Sequence, residues 1–212
     1  MKTADLISAL AADTAPVRPA RVMGPLAGAC LLGALVTGVV LVTWLGLRPL
    51  GEAVRTSAFW MKAGYTSALA LAGFLLTIRM ARPAGRPGRA LIIAVLAVLA
   101  MIGLSTIEMM RAGSGGMRPL MMGHTWSVCS LRILALSVPV YFGAILVLRQ
   151  LAPTRLAIAG AAAGLLAGGV GASVYGLYCG ETAATFVVIW YTLGIAAGAA
   201  LGAVIGSRLL RW

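Results

Sequence analysis

Six apolar runs, each long enough to cross a bilayer, leave this chain little room for anything else. They fall at roughly 22–46, 61–80, 90–110, 127–148, 156–178 and 184–206, and about 20 apolar residues suffice for one spanning helix. Arg48-Pro49, Arg82-Pro83, Arg86-Pro87, Arg118-Pro119 and Ala152-Pro153 punctuate the gaps, where helices are expected to stop. Inside lipid each segment must satisfy its own backbone hydrogen bonds. The expected fold is therefore all-α, a polytopic bundle of six transmembrane helices. A segment 1–21 precedes the bundle (22–206), and a tail 207–212 follows it. The first run has most of its length after Cys30, so Leu26-Ala27-Gly28-Ala29-Cys30 is not read as a lipoprotein box, and the run is too long for a cleaved signal.

The Lys/Arg distribution predicts orientation, because short cytoplasmic loops carry the excess. One side receives Lys2, Arg18, Arg21, Arg79, Arg82, Arg86, Arg89, Arg149, Arg155, Arg208 and Arg211. The other receives Arg48, Arg55, Lys62, Arg111, Arg118 and Arg132. Both termini are therefore expected in the cytoplasm, as an even number of crossings also requires. The net charge of +12 flanks the apolar runs in this way, so direct nucleic-acid binding is not expected and lipid is the expected surrounding.

The acidic residues are Asp5, Asp13, Glu52, Glu108 and Glu181, with His124 the single histidine. That removes clustered carboxylates for acid–base catalysis and multi-histidine metal sites, so no enzyme and no resident cofactor are expected. Glu108 lies three residues before Arg111, and the two are expected to pair along the helix. No intramembrane carboxylate is evident of the kind that ion-coupled transporters keep, and Pro139 is the one breaker in mid-membrane.

Four features interrupt the apolar background. In the N-terminal segment Thr3 reads as a helix cap, Asp5 lies in the first turn, and Leu6, Ile7 and Leu10 share one face before Pro16. Up to Ala15 the side-chain charges are Lys2, Asp5 and Asp13, which suits a groove on a protein partner better than an anionic lipid surface. Second, Cys129 and Cys179 fall at the outer ends of spans four and five, while Cys30 sits in span one as packing. The pair admits a static disulfide, a reversible redox switch, or a soft-metal site with His124 or Glu181. Arg132, one turn from Cys129, either favours the thiolate or snorkels to the interface. Third, His124, Trp126, Tyr175, Tyr178, Trp190 and Tyr191 form an aromatic and polar girdle. Fourth, Gly160, Gly164 and Gly168 recur at every fourth position, as do Gly194, Gly198, Gly202 and Gly206. Such stripes let helix backbones approach closely, within the bundle or at a homodimer seam.

The opening Lys2-Thr3, Leu6-Ile7, Leu10-Ala11, Asp13 and Pro16-Val17 resembles the start of the NrsF family. So do Trp126 with Cys129, Cys179 with Glu181, Phe186-Val187 before Trp190-Tyr191, and the ending Arg208-Leu209-Leu210-Arg211-Trp212. Here Gly180-Glu181-Thr182 follows the second cysteine where the family has Pro-Glu-Asp. The family comprises bacterial six-span proteins of the inner membrane described as anti-sigma factors for extracytoplasmic-function sigma factors. The resemblance implies that Thr3, Leu6, Ile7, Leu10 and Asp13 belong to a sigma-factor-binding segment, and that Cys129 and Cys179 sense periplasmic metal or oxidant stress. The rival readings are a small transporter or permease subunit with a structural periplasmic disulfide, and a quinone-linked thiol oxidoreductase. The latter generally needs two external cysteine pairs, and this chain has one.

Overall fold

The computed structural model of the chain describes Thr3, Asp5, Ser8 and residues 20–82, 85–151 and 153–211; among these, all regular structure is helical. Six helices are long and apolar enough to cross a membrane. They are α1 (Ala20–Trp44), α2 (Ser57–Met80), α3 (Arg89–Met122), α4 (Trp126–Arg149), α5 (Leu156–Tyr175) and α6 (Ala184–Leu209). Leu31, Leu35, Leu96 and Leu146 point away from the bundle, each more than half exposed. Water does not tolerate such a surface, whereas lipid is its natural solvent. This is a membrane protein.

Backbone contact organises the bundle around α5. A Cβ placed on Gly160 or Gly164 would collide with the carbonyls of Gly202 and Gly198 on α6, and one on Gly168 would press on Ile195. Gly194 of α6 faces Ile133 and the Ser130 carbonyl of α4 rather than α5. A second face of α5 meets α2 just as closely, Gly169 against the Ala70 backbone and Gly73 against that of Leu166. On a third, Gly171 abuts Ser137 of α4. Small residues on three faces make α5 the axis against which α2, α4 and α6 pack. The outlying α1 rests mainly on α4. There Gly33 meets the Val140 backbone, and the buried Thr37 hydroxyl donates to Gly33 O at 2.8 Å and to Leu136 O at 3.0 Å.

Two core clusters occupy opposite ends. Val22, Met80, Ala81, Leu148 and Leu210 belong to one, so the start of α1 and the end of α6 lie together. Leu41, Tyr65, Cys129, Tyr175, Cys179 and Tyr191 belong to the other.

Several boundaries differ from the sequence reading. Before α2, residues expected as loop include a short helical turn, Leu50–Ala53. Helix α2 then starts at Ser57, where the Thr56 side chain caps the Phe59 amide, so Lys62 lies inside the helix. Residues 111–122, expected as loop, continue α3 as helix past a kink at Gly113 (φ 63°) and stop at Gly123 (φ 52°), glycine being the residue that tolerates both angles. Helix α5 ends at Tyr175 rather than at 178, and α6 runs on to Leu209 into the expected tail. The expected Glu108–Arg111 pair is absent among the described residues. Glu108 Oε2 instead accepts the Thr185 amide and hydroxyl, both at 2.8 Å, because α6 begins beside it and a buried helix start needs its amides satisfied.

Gly164→Leu is expected to separate α5 from α6 and to cost about 2 kcal/mol or more. The check is thermal loss of the monodisperse species in detergent, compared with the wild type.

Candidate functional site

Cys129 and Cys179 are brought together within the second core cluster, 0% and 1% exposed, and both are free thiols. Cys129 lies in the first turn of α4, and Cys179 in the segment 176–183 that joins α5 to α6. Around them stand Tyr175 and Tyr191, fully buried, with ring centroids 5.8 Å apart. The Tyr175 hydroxyl lies within reach of Cys129 and Arg132, and the Tyr191 hydroxyl within reach of Cys179. Tyr191 ends a π-helical turn, Val187–Tyr191, at the start of α6. Such turns release a backbone carbonyl from the helix ladder, and here the Ser130 hydroxyl of α4 donates to Trp190 O at 2.8 Å. The Trp190 indole donates to Met121 O and its ring lies 5.5 Å from that of Trp126.

Segment 176–183 is tied to both sides of the site. Carbonyls at the C-terminal end of a helix carry partial negative charge and lack helical donors. Arg48 donates to Gly176 O at 3.2 Å, with its guanidinium carbon 5.6 Å from the Phe59 ring centroid. Lys62, 2% exposed, donates from Nζ to Cys179 O at 2.8 Å and to Glu181 O at 2.7 Å. The Glu181 carboxylate reaches the other way. Its Oε1 accepts the amides of His124 at 2.7 Å and Thr125 at 3.2 Å, and the Thr125 hydroxyl at 3.3 Å. Thr125 provides no side-chain cap for α4, so Glu181 performs that task from another part of the chain.

The remaining site expectations are placed as follows. His124 Nδ1 lies 3.8 Å from Glu181 Oε1, and the imidazole is almost wholly exposed. Among the described residues no group of three His, Cys, Asp or Glu side chains could hold a metal. Arg132 turns to Tyr178, with 3.4 Å between Nη1 and the phenol oxygen and 5.5 Å to the ring centroid. Cys30 packs at the opposite end of the bundle. Thr3 is helical and exposed, whereas Leu6, Ile7, Leu10 and Asp13 lie outside the described residues.

Sequence reasoning placed Lys62 inside the second run and counted it and Arg48 only as charges on the outer side, so it missed what the two bind. A signal was present, since Lys62 interrupts an apolar run within one or two turns of its start. Its destination was not, because Cys179 lies 117 positions away.

Fold and site together define a six-helix membrane protein with a buried, free thiol pair beneath a connection clamped by cations. The family model described as "Negative regulator of sigma F" matches residues 10–212. The chain belongs to this family, NrsF. It is 41% identical over 219 residues to the anti-sigma-F factor NrsF of Caulobacter vibrioides (strain NA1000 / CB15N), covering all of both chains. It is 37% identical over 213 residues to the probable anti-sigma-F factor NrsF of Azospira oryzae (strain ATCC BAA-33 / DSM 13638 / PS), again over both full lengths. No solved structure matches.

Glu181→Ala should leave the His124 and Thr125 amides, just before α4, without their acceptor at a cost of about 1 kcal/mol. Hydrogen exchange at His124 and Thr125 is expected to quicken about fivefold, while exchange in the α5–α6 seam stays unchanged.

Proposed function

We propose that this protein is an anti-sigma factor of the bacterial inner membrane, not an enzyme. Its cytoplasmic N-terminal segment, including Thr3, Leu6, Ile7, Leu10 and Asp13, sequesters an extracytoplasmic-function sigma factor. A periplasmic metal or oxidant signal at Cys129 and Cys179 releases it. The observation that carries this reading is the match over the full length to relatives named as anti-sigma-F factors. The Lys/Arg asymmetry supports the orientation, with the cysteine end outside and residues 1–21 inside.

The packing supports a route between the two ends. Cys129 sits on α4, and α4 holds α1 through the Gly33–Val140 contact and the Thr37–Leu136 hydrogen bond. Joining the sulfurs, or bridging them with a soft ion, pulls the first turn of α4 toward segment 176–183. Motion of α4 then passes to α1, whose first residues follow directly on the N-terminal segment. The glycine stripes of α5 and α6 serve in this scheme as the fixed frame against which α4 shifts.

An affinity pull-down from native membranes tests the reading, run beside a version lacking residues 1–17. A sigma factor retained by the full chain and absent from the truncated one is the expected result. No sigma factor with either would return the transporter reading. Cys129→Ser combined with Cys179→Ser should keep retention but abolish signal-dependent release, measured as retained sigma factor before and after exposure to oxidant or metal. Intact release in that variant would leave the thiols a structural role only.

A further inference from the structure

Lys62 is not accounted for by the thiol chemistry. A buried cation inside a membrane-spanning helix is costly, and methionine or leucine would fill the same space without that cost. Among the described residues no carboxylate pairs with it, since the Glu181 carboxylate is engaged at the start of α4. What Lys62 holds is backbone, the carbonyls of Cys179 and Glu181 on either side of Gly180. Side-chain packing does little to fix this point of the connection, because nothing lies within 4 Å of where a Cβ on Gly180 would stand. Arg48 reaches only Gly176, three residues earlier. On the α2 side the carbonyls of Cys179 and Glu181 are held by this one ammonium, while the Glu181 side chain holds the far edge to the start of α4.

That ammonium also has a second place to go. A cavity of about 60 Å³ adjoins Lys62, lined by Phe59, Ala63, Thr66, Ser173 and Gly176 among others. It offers the oxygens of Thr66 and Ser173, which are hydrogen-bonded to each other at 2.9 Å. Two seats for one side chain, each with acceptors, make the kind of two-position element that a switch requires.

We propose that Lys62 is the latch of this sensor. With Nζ on the Cys179 and Glu181 carbonyls it holds segment 176–183 closed over the thiols. When Nζ moves into the cavity toward Thr66 and Ser173, the segment lifts and Cys179 is uncovered. Lys62 acts as a positioning residue, touching the backbone that carries the thiol and not the sulfur itself. The proposal rests on the reading of the cysteine pair as the sensing site, and it places the first response to a signal on α2 as well as on α4.

The test uses the full-length protein in native membranes, with alkylation of Cys179 by N-ethylmaleimide followed over time by mass spectrometry. Lys62→Met removes the donor at nearly constant shape, whereas Lys62→Arg keeps donors and has the cavity to take its bulk. Cys179 is expected to react about tenfold faster in Lys62→Met than in the wild type, and within about twofold of it in Lys62→Arg. A space-filling role would give the reverse order, methionine being the better fit. Equal rates in Lys62→Met and the wild type overturn the latch.

Should Lys62→Met fail to accumulate, Thr66→Val combined with Ser173→Ala carries the test. This variant removes the acceptors of the second seat and leaves Lys62 its bonds to the Cys179 and Glu181 carbonyls. Cys179 is expected to be alkylated about threefold more slowly than in the wild type, and an unchanged rate overturns the latch. Failure of the sensing reading shows separately, as intact signal-dependent release when both cysteines are serine. The alkylation rates at Cys179 do not depend on that result, so the two failures are distinguishable.

Discussion

Close approach of backbones along α5 is the constraint on which the other helices depend. In lipid no hydrophobic force draws apolar helices together, so association relies on dispersion contact and on the few hydrogen bonds that cross between helices. Glycine and alanine on three faces of α5 bring α2, α4 and α6 to backbone distance at once. Outside this axis α1 is held along a seam on α4, and the connection 176–183 is held largely by side-chain hydrogen bonds.

The same physics explains why charge appears at the cysteine end in so specific a form. Beyond Tyr175 the connection folds back so that its amides meet the carbonyls of Ala172, Val174 and Tyr175, and its own carbonyls then need donors. Arg48 supplies one to Gly176 and Lys62 serves Cys179 and Glu181, while the Glu181 carboxylate accepts the amides just before α4. The connection carrying Cys179 thus serves as the C-terminal cap of one helix and the N-terminal cap of another.

The two tyrosines deepen this picture. Tyr175 ends α5, and Tyr191 ends the π-helical turn of α6, so each belongs to an irregularity that the thiol pocket requires. Their hydroxyls are buried beside the two sulfurs, which are weak hydrogen-bond partners.

The sequence by itself determined the number of helices, their apolar character and that the glycine stripes of α5 and α6 serve close backbone contact; the structure decided that the contact is between these two helices. Hydropathy runs and four-residue glycine spacing are local patterns, and lipid as solvent leaves few ways to meet them. It also brought Cys129 and Cys179 to notice, since thiols are rare here and both fall at span ends. The tertiary structure decided the rest: Glu108 pairing with Thr185 instead of Arg111, Gly194 facing α4, Glu181 capping a distant helix, and Lys62 reaching a carbonyl 117 positions along the chain. Apart from the Gly194 contact, which is packing, each of these satisfies a polar group left over when helices end or begin inside the fold. Which donor meets which acceptor depends on how the ends lie in space, and no periodicity in the chain encodes that.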